Sequence, residues 1–137
     1  MSEQGLSIVV DASTTIAWTL EDEQDSYALK VAAYIEENGA IVPALWRWEV
    51  QNILLNACKR KRITEAQMSE VAMLLSHLSI SLDPPMFFGT ELALARQYDL
   101  SVYDAAYLEL AMRTNAKLAT HDTALRSAAK AVGAFFS

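Results

Sequence analysis

Among the 17 acidic residues of this 137-residue chain, four stand where carboxylate chemistry is possible. Asp11 follows the apolar run Leu6-Ser7-Ile8-Val9-Val10, and Asp122 stands just past Lys117-Leu118-Ala119-Thr120. Both runs read as short strands, and in doubly wound sheets the ligand crevice lies outside the carboxyl ends of the strands. Each aspartate is also well placed as a helix N-cap, a position that favours Asp. Glu49 has Leu45, Trp46 and Ile53 as its helical neighbours. In such an apolar row a carboxylate calls for a cation, a metal or a cleft, unless it reaches solvent at the edge of the stripe. Asp104 opens an apolar helix with Tyr107 and Leu108 one turn below it, either facing a covered side or simply compensating the helix dipole. Asn52, one turn on from Glu49, could share its cleft. If the four carboxylates converge, they repel one another or protonate unless divalent cations are present. Oxygen-only ligands select hard ions such as Mg²⁺ or Mn²⁺, and Mg²⁺ completes its shell with waters and substrate phosphates. The chemistry this suggests is phosphodiester hydrolysis.

The elements that must carry these residues alternate. Leu6–Val10 is expected as a buried strand running into a helix at Asp11-Ala12-Ser13-Thr14-Thr15, Asp25–Glu37 as a helix stopped by Asn38-Gly39, and Ala40–Val42 as a second strand. After Pro43, Ala44–Lys59 has the pattern of a long helix ending in Lys59-Arg60-Lys61-Arg62, and Thr64–His77 that of another. Leu78–Leu82 follows as a strand, Asp83-Pro84-Pro85 as a cap and start of a helix reaching about Tyr98, and Tyr103–Arg113 as a helix covered on most sides. Lys117–Thr120 is a short strand, Thr123 to about Val132 a final helix, and Ala134–Phe136 an added edge strand. Short apolar strands alternating with helices predict an α/β fold: a mostly parallel central sheet of four to five short strands with helices on both faces. Length and the lack of any repeat or linker predict one domain over residues 1–137.

Composition narrows the function. The chain is 53% apolar and 20% charged, enough for a sizeable core. A net charge of −6 argues against binding nucleic acid by bulk charge, so a polyanion must be met locally. The four glycines are isolated, which excludes a phosphate-cradling loop or a dinucleotide fingerprint, and a single cysteine with two distant histidines gives no zinc spacing. Cys58 standing alone, a start that carries Glu3 and no basic residues, and no apolar stretch near the roughly 20 residues needed to cross a bilayer predict a cytoplasmic protein without signal peptide or membrane role.

Four motifs then stand in order along the chain: Ile8-Val9-Val10-Asp11-Ala12-Ser13; Pro43-Ala44-Leu45-Trp46-Arg47-Trp48-Glu49-Val50-Gln51-Asn52; Ser101-Val102-Tyr103-Asp104-Ala105-Ala106-Tyr107-Leu108; and Leu118-Ala119-Thr120-His121-Asp122-Thr123-Ala124-Leu125. With them the chain resembles the PIN-domain ribonucleases, most closely the VapC-like toxins of bacterial and archaeal toxin–antitoxin pairs. The resemblance runs nearly end to end and selects the same four carboxylates. It implies that Asp11, Glu49, Asp104 and Asp122 hold one or two Mg²⁺ or Mn²⁺ ions, with Ser13 and Thr120 as supporting hydroxyls and Asn52 as a neighbour. It further implies hydrolysis of RNA by a metal-activated water, leaving 5′-phosphate and 3′-hydroxyl ends, in a homodimer held inactive by an antitoxin whose amphipathic segment packs in a groove.

Several features stay open at this point. His121 is a candidate base, although a metal-bound water already supplies the nucleophile. Lys59–Arg62 either contacts phosphates or compensates a helix end. Glu21–Asp25 reads as a solvated loop, and Trp18, Trp46, Trp48, Phe87 and Phe88 as core rather than interface. Two competing functions are a receiver-like signalling domain and a PIN-like fold that only binds. The first fits poorly, since Asp11 lacks an acidic neighbour and Lys117 begins its strand instead of ending it.

Overall fold

Three β-branched residues, Ile8–Val10, form a fully enclosed strand. This is β1, with exposures of 1%, 0% and 0%, and a buried run of that composition suits a strand covered on both faces. A computed structural model, which describes residues 6–84 and 87–137, places β1 in the interior of a four-stranded sheet. The other strands are β2 (Ala40–Pro43), β3 (Ile80–Asp83) and β4 (Leu118–Ala119), in spatial order β3-β2-β1-β4. All neighbours are parallel, with Val9 opposite Ile41 on one side and Leu118 on the other. The expected mostly parallel α/β fold is therefore present, with strand ends within a residue or two of those expected.

Among the described residues, seven α-helices surround the sheet: α1 (Ala12–Thr19), α2 (Ser26–Asn38), α3 (Leu45–Lys59), α4 (Glu65–His77), α5 (Thr90–Tyr98), α6 (Val102–Thr114) and α7 (Thr123–Ala131). Local chemistry sets several of their ends. Asp11, Asp25, Ser101 and Asp122 cap α1, α2, α6 and α7 through side-chain oxygens, and Thr64 with Gln67 forms a capping box on α4. Gly39 ends α2 with φ of 79°, and a Cβ there would meet the Ser79 carbonyl oxygen at 2.8 Å, so only glycine fits between α2 and β3. Helix α6 is covered on most of its circumference as expected: Ala105 and Tyr107 through Ala111 are all buried.

Because every strand is parallel, all four carboxyl ends share one edge of the sheet. The chain leaves β1 toward β2 and β3, then returns to place β4 on the other side of β1. The carboxyl ends of β1 and β4 thus flank the switch point where open α/β sheets hold ligands.

The structure departs from expectation in places. Asp83 closes β3 and does not cap a helix; its carboxylate takes Arg113 Nη1 at 2.8 Å, alongside the Arg113–Glu109 pair on α6. Phe87–Gly89 is not helical, and α5 starts only at Thr90, behind Gly89 with φ of 103°. Pro85, the second residue of the expected helix start, and residues 1–5 of the N-terminal segment lie outside the described residues. Ala134–Phe136 contributes a single bridge, Leu118 to Phe135, and no strand. Trp18 and Trp46 join the core, but Trp48, Phe87 and Phe88 are exposed, which corrects the expectation that all five aromatics bury. Glu21–Asp25 is more than a solvated loop. It contains a 3-10 turn, Glu21–Glu23, whose Asp22 and Glu23 pair with Arg62, while Asp25 caps α2.

Candidate active site

Asp11 leaves the sheet at the end of β1 and turns directly into α1. Its Oδ1 accepts the Thr14 backbone N–H at 2.9 Å and the Ser13 hydroxyl at 3.3 Å, and its Oδ2 accepts the Thr120 hydroxyl at 2.5 Å. The side chain is 6% exposed. Both proposed descriptions of Asp11 hold together: it is an N-cap, and it stands at the carboxyl end of an interior strand. Trp46 buttresses the same turn by donating its indole N–H to the Thr15 hydroxyl, which in turn donates to the Asp11 carbonyl oxygen.

Thr120, buried at the end of β4, ties two carboxylate positions together. While donating to Asp11 it accepts the Asp122 backbone N–H at 3.0 Å, and Asp122 then caps α7 by accepting from Leu125 N–H. Arg126, one turn on, donates to the Thr120 carbonyl oxygen at 2.6 Å and lies over the Tyr27 ring, so the Thr120–Asp122 loop is held from behind. His121 in that loop is fully engaged: Nδ1 pairs with the Thr14 hydroxyl and Nε2 with Asp25, each at 2.9 Å. It fastens β4 to α1 and α2 and has no ring nitrogen left over for a base.

Glu49 and Asp104 approach from the other side. Glu49, half-buried in the first half of α3, accepts the Tyr107 hydroxyl at 2.5 Å on Oε1. Asp104 sits in the first turn of α6, where Ser101 supplies the cap. Burial pushes the Glu49 carboxyl up, the Tyr107 hydrogen bond opposes that, and the charges of Asp104 and Asp11 push it up further. Asp104 is likewise raised by burial, then by Asp122 and Asp11, with Ser101 opposing. Glu49 thus feels Asp11 and Asp104, and Asp104 feels Asp11 and Asp122, which links the four carboxylates selected from the sequence into one group. No Lys or Arg among the described residues hydrogen-bonds to any of them.

The remaining sequence candidates divide. Ser13 and Thr120 both donate to Asp11, whereas Asn52 is exposed and hydrogen-bonds to none of the four carboxylates. Tyr107 was not singled out by sequence reasoning as a site residue. The signal available was a tyrosine three residues after Asp104 on a helix too apolar to leave its hydroxyl unpartnered.

The donor set fits a hard dication: carboxylate and hydroxyl oxygens, mutually repelling and without a protein cation. Among the described residues no group of three or more His, Cys, Asp or Glu side chains is gathered tightly enough to hold an ion as it stands. Mg²⁺ is commonly held by one or two carboxylates plus waters and substrate phosphates, so a looser ring of oxygens suffices. A groove lies elsewhere, on the other flank of α3. It measures about 360 Å³ and is lined by Trp46, Val50, Leu54, Leu75 and Ile80 among others. The carboxylate edge is the better candidate for chemistry because it holds the perturbed titratable groups and the switch-point position.

Comparison with known proteins bears on this site. The sequence profile described as PIN domain matches residues 8–131. No curated protein is similar enough in sequence to count as a match. Among solved structures, the crystal structure of PAE2754 from Pyrobaculum aerophilum superposes with a TM-score of 0.71 at 22% identity, covering 90% of this chain and 80% of that one. A toxin–antitoxin complex from Klebsiella pneumoniae gives 0.59 at 18% identity, covering 85% and 88%. Both are similarities of fold.

Proposed function

This chain belongs to the PIN-domain family, and on that premise we propose that it is a Mg²⁺- or Mn²⁺-dependent endoribonuclease, the VapC-like toxin of a toxin–antitoxin pair. PIN domains are in general metal-dependent nucleases. The observation that carries the proposal is the set Asp11, Glu49, Asp104 and Asp122: four carboxylates at the switch-point edge of a parallel sheet, two of them raised by burial and then by the charge of the others, with no protein cation among them. That arrangement is costly in an isolated fold and sensible in a site that takes up one or two divalent ions.

The four carboxylates would hold the ions. A bound ion of this kind lowers the pKa of a water and offsets negative charge around a phosphodiester. The chain's own contribution is placement. Asp11 is locked by Ser13, Thr14 and Thr120, so one side of the site is preorganised by the end of β1 and the α1 cap. Tyr107 fixes one oxygen of Glu49, which leaves Oε2 without a protein partner among the described residues. Asp122 keeps its position through Thr120 and the α7 cap. No side chain placed here acts as a histidine base, since both nitrogens of His121 are occupied. Hydrolysis by water requires no ribose 2′-hydroxyl, so the choice of RNA rests on recognition of shape and of single-stranded loops.

The partners proposed are an RNA substrate, a cognate antitoxin and a second copy of the chain in a homodimer, in the cytoplasm. The antitoxin proposal draws support from the fold shared with one component of the Klebsiella pneumoniae complex and from the apolar groove beside α3, whose lining suits an amphipathic segment. Among the described residues no helix is long and apolar enough to cross a membrane. A receiver-like signalling domain is displaced by the family match. A PIN fold that only binds has no specific observation in its favour.

The test is cleavage of a mixed pool of structured cellular RNAs by purified protein free of antitoxin, in Mg²⁺ or Mn²⁺ and in EDTA, beside Asp104→Asn. The expected outcome is discrete products with 5′-phosphate ends that vanish in EDTA and fall about a hundredfold or more with the variant. Identical RNA patterns for wild type and a folded Asp104→Asn in every metal would sink the nuclease.

A further inference from the structure

The basic run at the end of α3 has no place in the site described above, and its surroundings give it one. Seven of the 11 basic side chains are held by carboxylates, backbone carbonyls or aromatic rings. The four without such a partner among the described residues are Arg96 and the contiguous Lys59, Arg60 and Lys61. In a chain with net charge −6, three adjacent unneutralised cations are a local exception. Arg62, which completes the run, is neutralised by Asp22 and Glu23.

Helix α3 links these cations to Glu49. The ten residues from Glu49 to Lys59 span about 15 Å of helix. Trp48, Asn52, Leu55 and Lys59, spaced by four, three and four residues, fall on one stripe of it, all exposed. Trp48, which adjoins Glu49 in the chain, is 66% exposed with the Arg47 guanidinium over its ring, and Leu55 is 43% exposed. An exposed indole beside the site, the Asn52 amide in mid-helix and free cations at the far end form a sequence of groups that can track a nucleic-acid strand: a stacking platform, a hydrogen-bonding amide, then phosphate contacts.

We infer that the exposed stripe of α3 is a guide for the single-stranded RNA that flanks the cut, with Trp48 stacking on a base next to the scissile phosphate and Lys59, Arg60 and Lys61 meeting the backbone about four to five nucleotides away, at roughly 3.4 Å per stacked nucleotide. The inference rests on the nuclease reading and adds to it the direction in which the substrate leaves the site. Charge complementarity selects the occupant. An acidic protein partner would also meet the cations, but it would leave Trp48 without a stacking role, whereas a strand uses both ends of the stripe.

Two arms test it. In the first, KM, kcat and their salt dependence are measured on a 20-nucleotide RNA that the wild type cuts, for wild type and for the combined Lys59→Gln, Arg60→Gln, Lys61→Asn variant. The expected result is a KM about tenfold higher with kcat within about twofold, and a slope of log KM against log salt reduced by about 2, as three lost contacts to a single strand predict. In the second, done in EDTA so that nothing is cut, the protein's tryptophan emission is titrated with the same RNA. Trp18 and Trp46 are buried, so quenching reports on Trp48 and should disappear in Trp48→Phe, while Trp48→Ala weakens binding about tenfold.

Unchanged KM and salt slope in a cutting enzyme, or a melting temperature lowered with no change in KM, would leave the cations as a helix-end charge and overturn the guide. So would a change in sedimentation with RNA binding intact, which would make the stripe a protein interface. If the wild type cuts no RNA in any metal, the nuclease reading fails on its own, and the EDTA titration still decides the stripe: no RNA binding overturns the guide, and binding lost in both variants supports it.

Discussion

The two sides of the carboxylate site are built in opposite ways. On the β1–β4 side, Asp11 accepts three hydrogen bonds from neutral donors, Thr120 serves both Asp11 and Asp122, and the loop between β4 and α7 is pinned by His121 and Arg126. On the α3–α6 side, Glu49 has only Tyr107 and Asp104 only the Ser101 side chain, and both are pushed up by burial and by the other acids. One side is satisfied by the fold. The other is left with charge that only something from outside the chain can offset. The first side should therefore behave in mutagenesis as structure and site at once, the second as site alone.

The largest expected effect is on the satisfied side. Asp11→Ala removes the α1 cap, worth about 1 kcal/mol, and strands the buried Thr120 hydroxyl, worth about 1–3 kcal/mol. Urea denaturation should show roughly 2–4 kcal/mol of lost stability together with loss of RNA cleavage. Asp104→Asn, measured beside it, should lose cleavage and stay within about 1 kcal/mol of the wild type, because its carboxylate meets only Ser101, the cap of its own helix. Equal destabilisation by the two changes would erase the distinction between the sides.

That distinction also accounts for what the sequence made legible. Asp11 and Asp122 could be found because a cap residue directly after a short apolar strand is a local pattern, and Glu49 because a charge in an apolar helical row is one too. Their joining through Thr120, and the engagement of both His121 nitrogens by Thr14 and Asp25, depend on residues 96 to 109 positions apart in the chain, which no local pattern reports. The exposed Trp48 shows the complementary failure. It follows Trp46 by two residues, and on a helix two residues turn the side chain to the opposite face, so one indole buries against Thr15 while the other meets solvent. The late start of α5 has the same origin in tertiary structure: Asp83 is recruited by Arg113 of α6 and is not available as a cap.

Tyr107 gives a second, smaller break on the unsatisfied side. It is 1% exposed, and its hydroxyl donates to Glu49 and accepts from the Ala12 backbone, so Tyr107→Phe removes one restraint from Glu49 and one acceptor from the start of α1. Loss of such an outer-shell hydrogen bond typically costs 10–100-fold in metal affinity. Mn²⁺ titration followed by electron paramagnetic resonance should show a weakening of about tenfold, with the fold unchanged by circular dichroism. Repeated in a Glu49→Gln background, the same change should have no further effect on Mn²⁺ binding. An undiminished effect there would mean that Tyr107 acts through packing and not through the carboxylate.

The smallest effect is the one that isolates the charge itself. The Glu49 carboxyl is raised in the folded protein, so the fold binds that proton more tightly than the unfolded chain does. By linkage, the metal-free wild type keeps this contribution in acid and loses it as pH rises from the ordinary carboxylate range through the raised value. Glu49→Gln keeps an acceptor for Tyr107 and has nothing to ionise. Without metal, it should melt about 2–4 °C above the wild type at neutral pH, a margin kept small by solvent screening, and the difference should close on acidification as Glu49 takes up its proton. Saturating Mg²⁺ should reverse the order, since an ion that binds only the folded wild type stabilises it by mass action and leaves the variant behind. If the order is the same with and without metal, the repulsion among the carboxylates is not what the ion relieves.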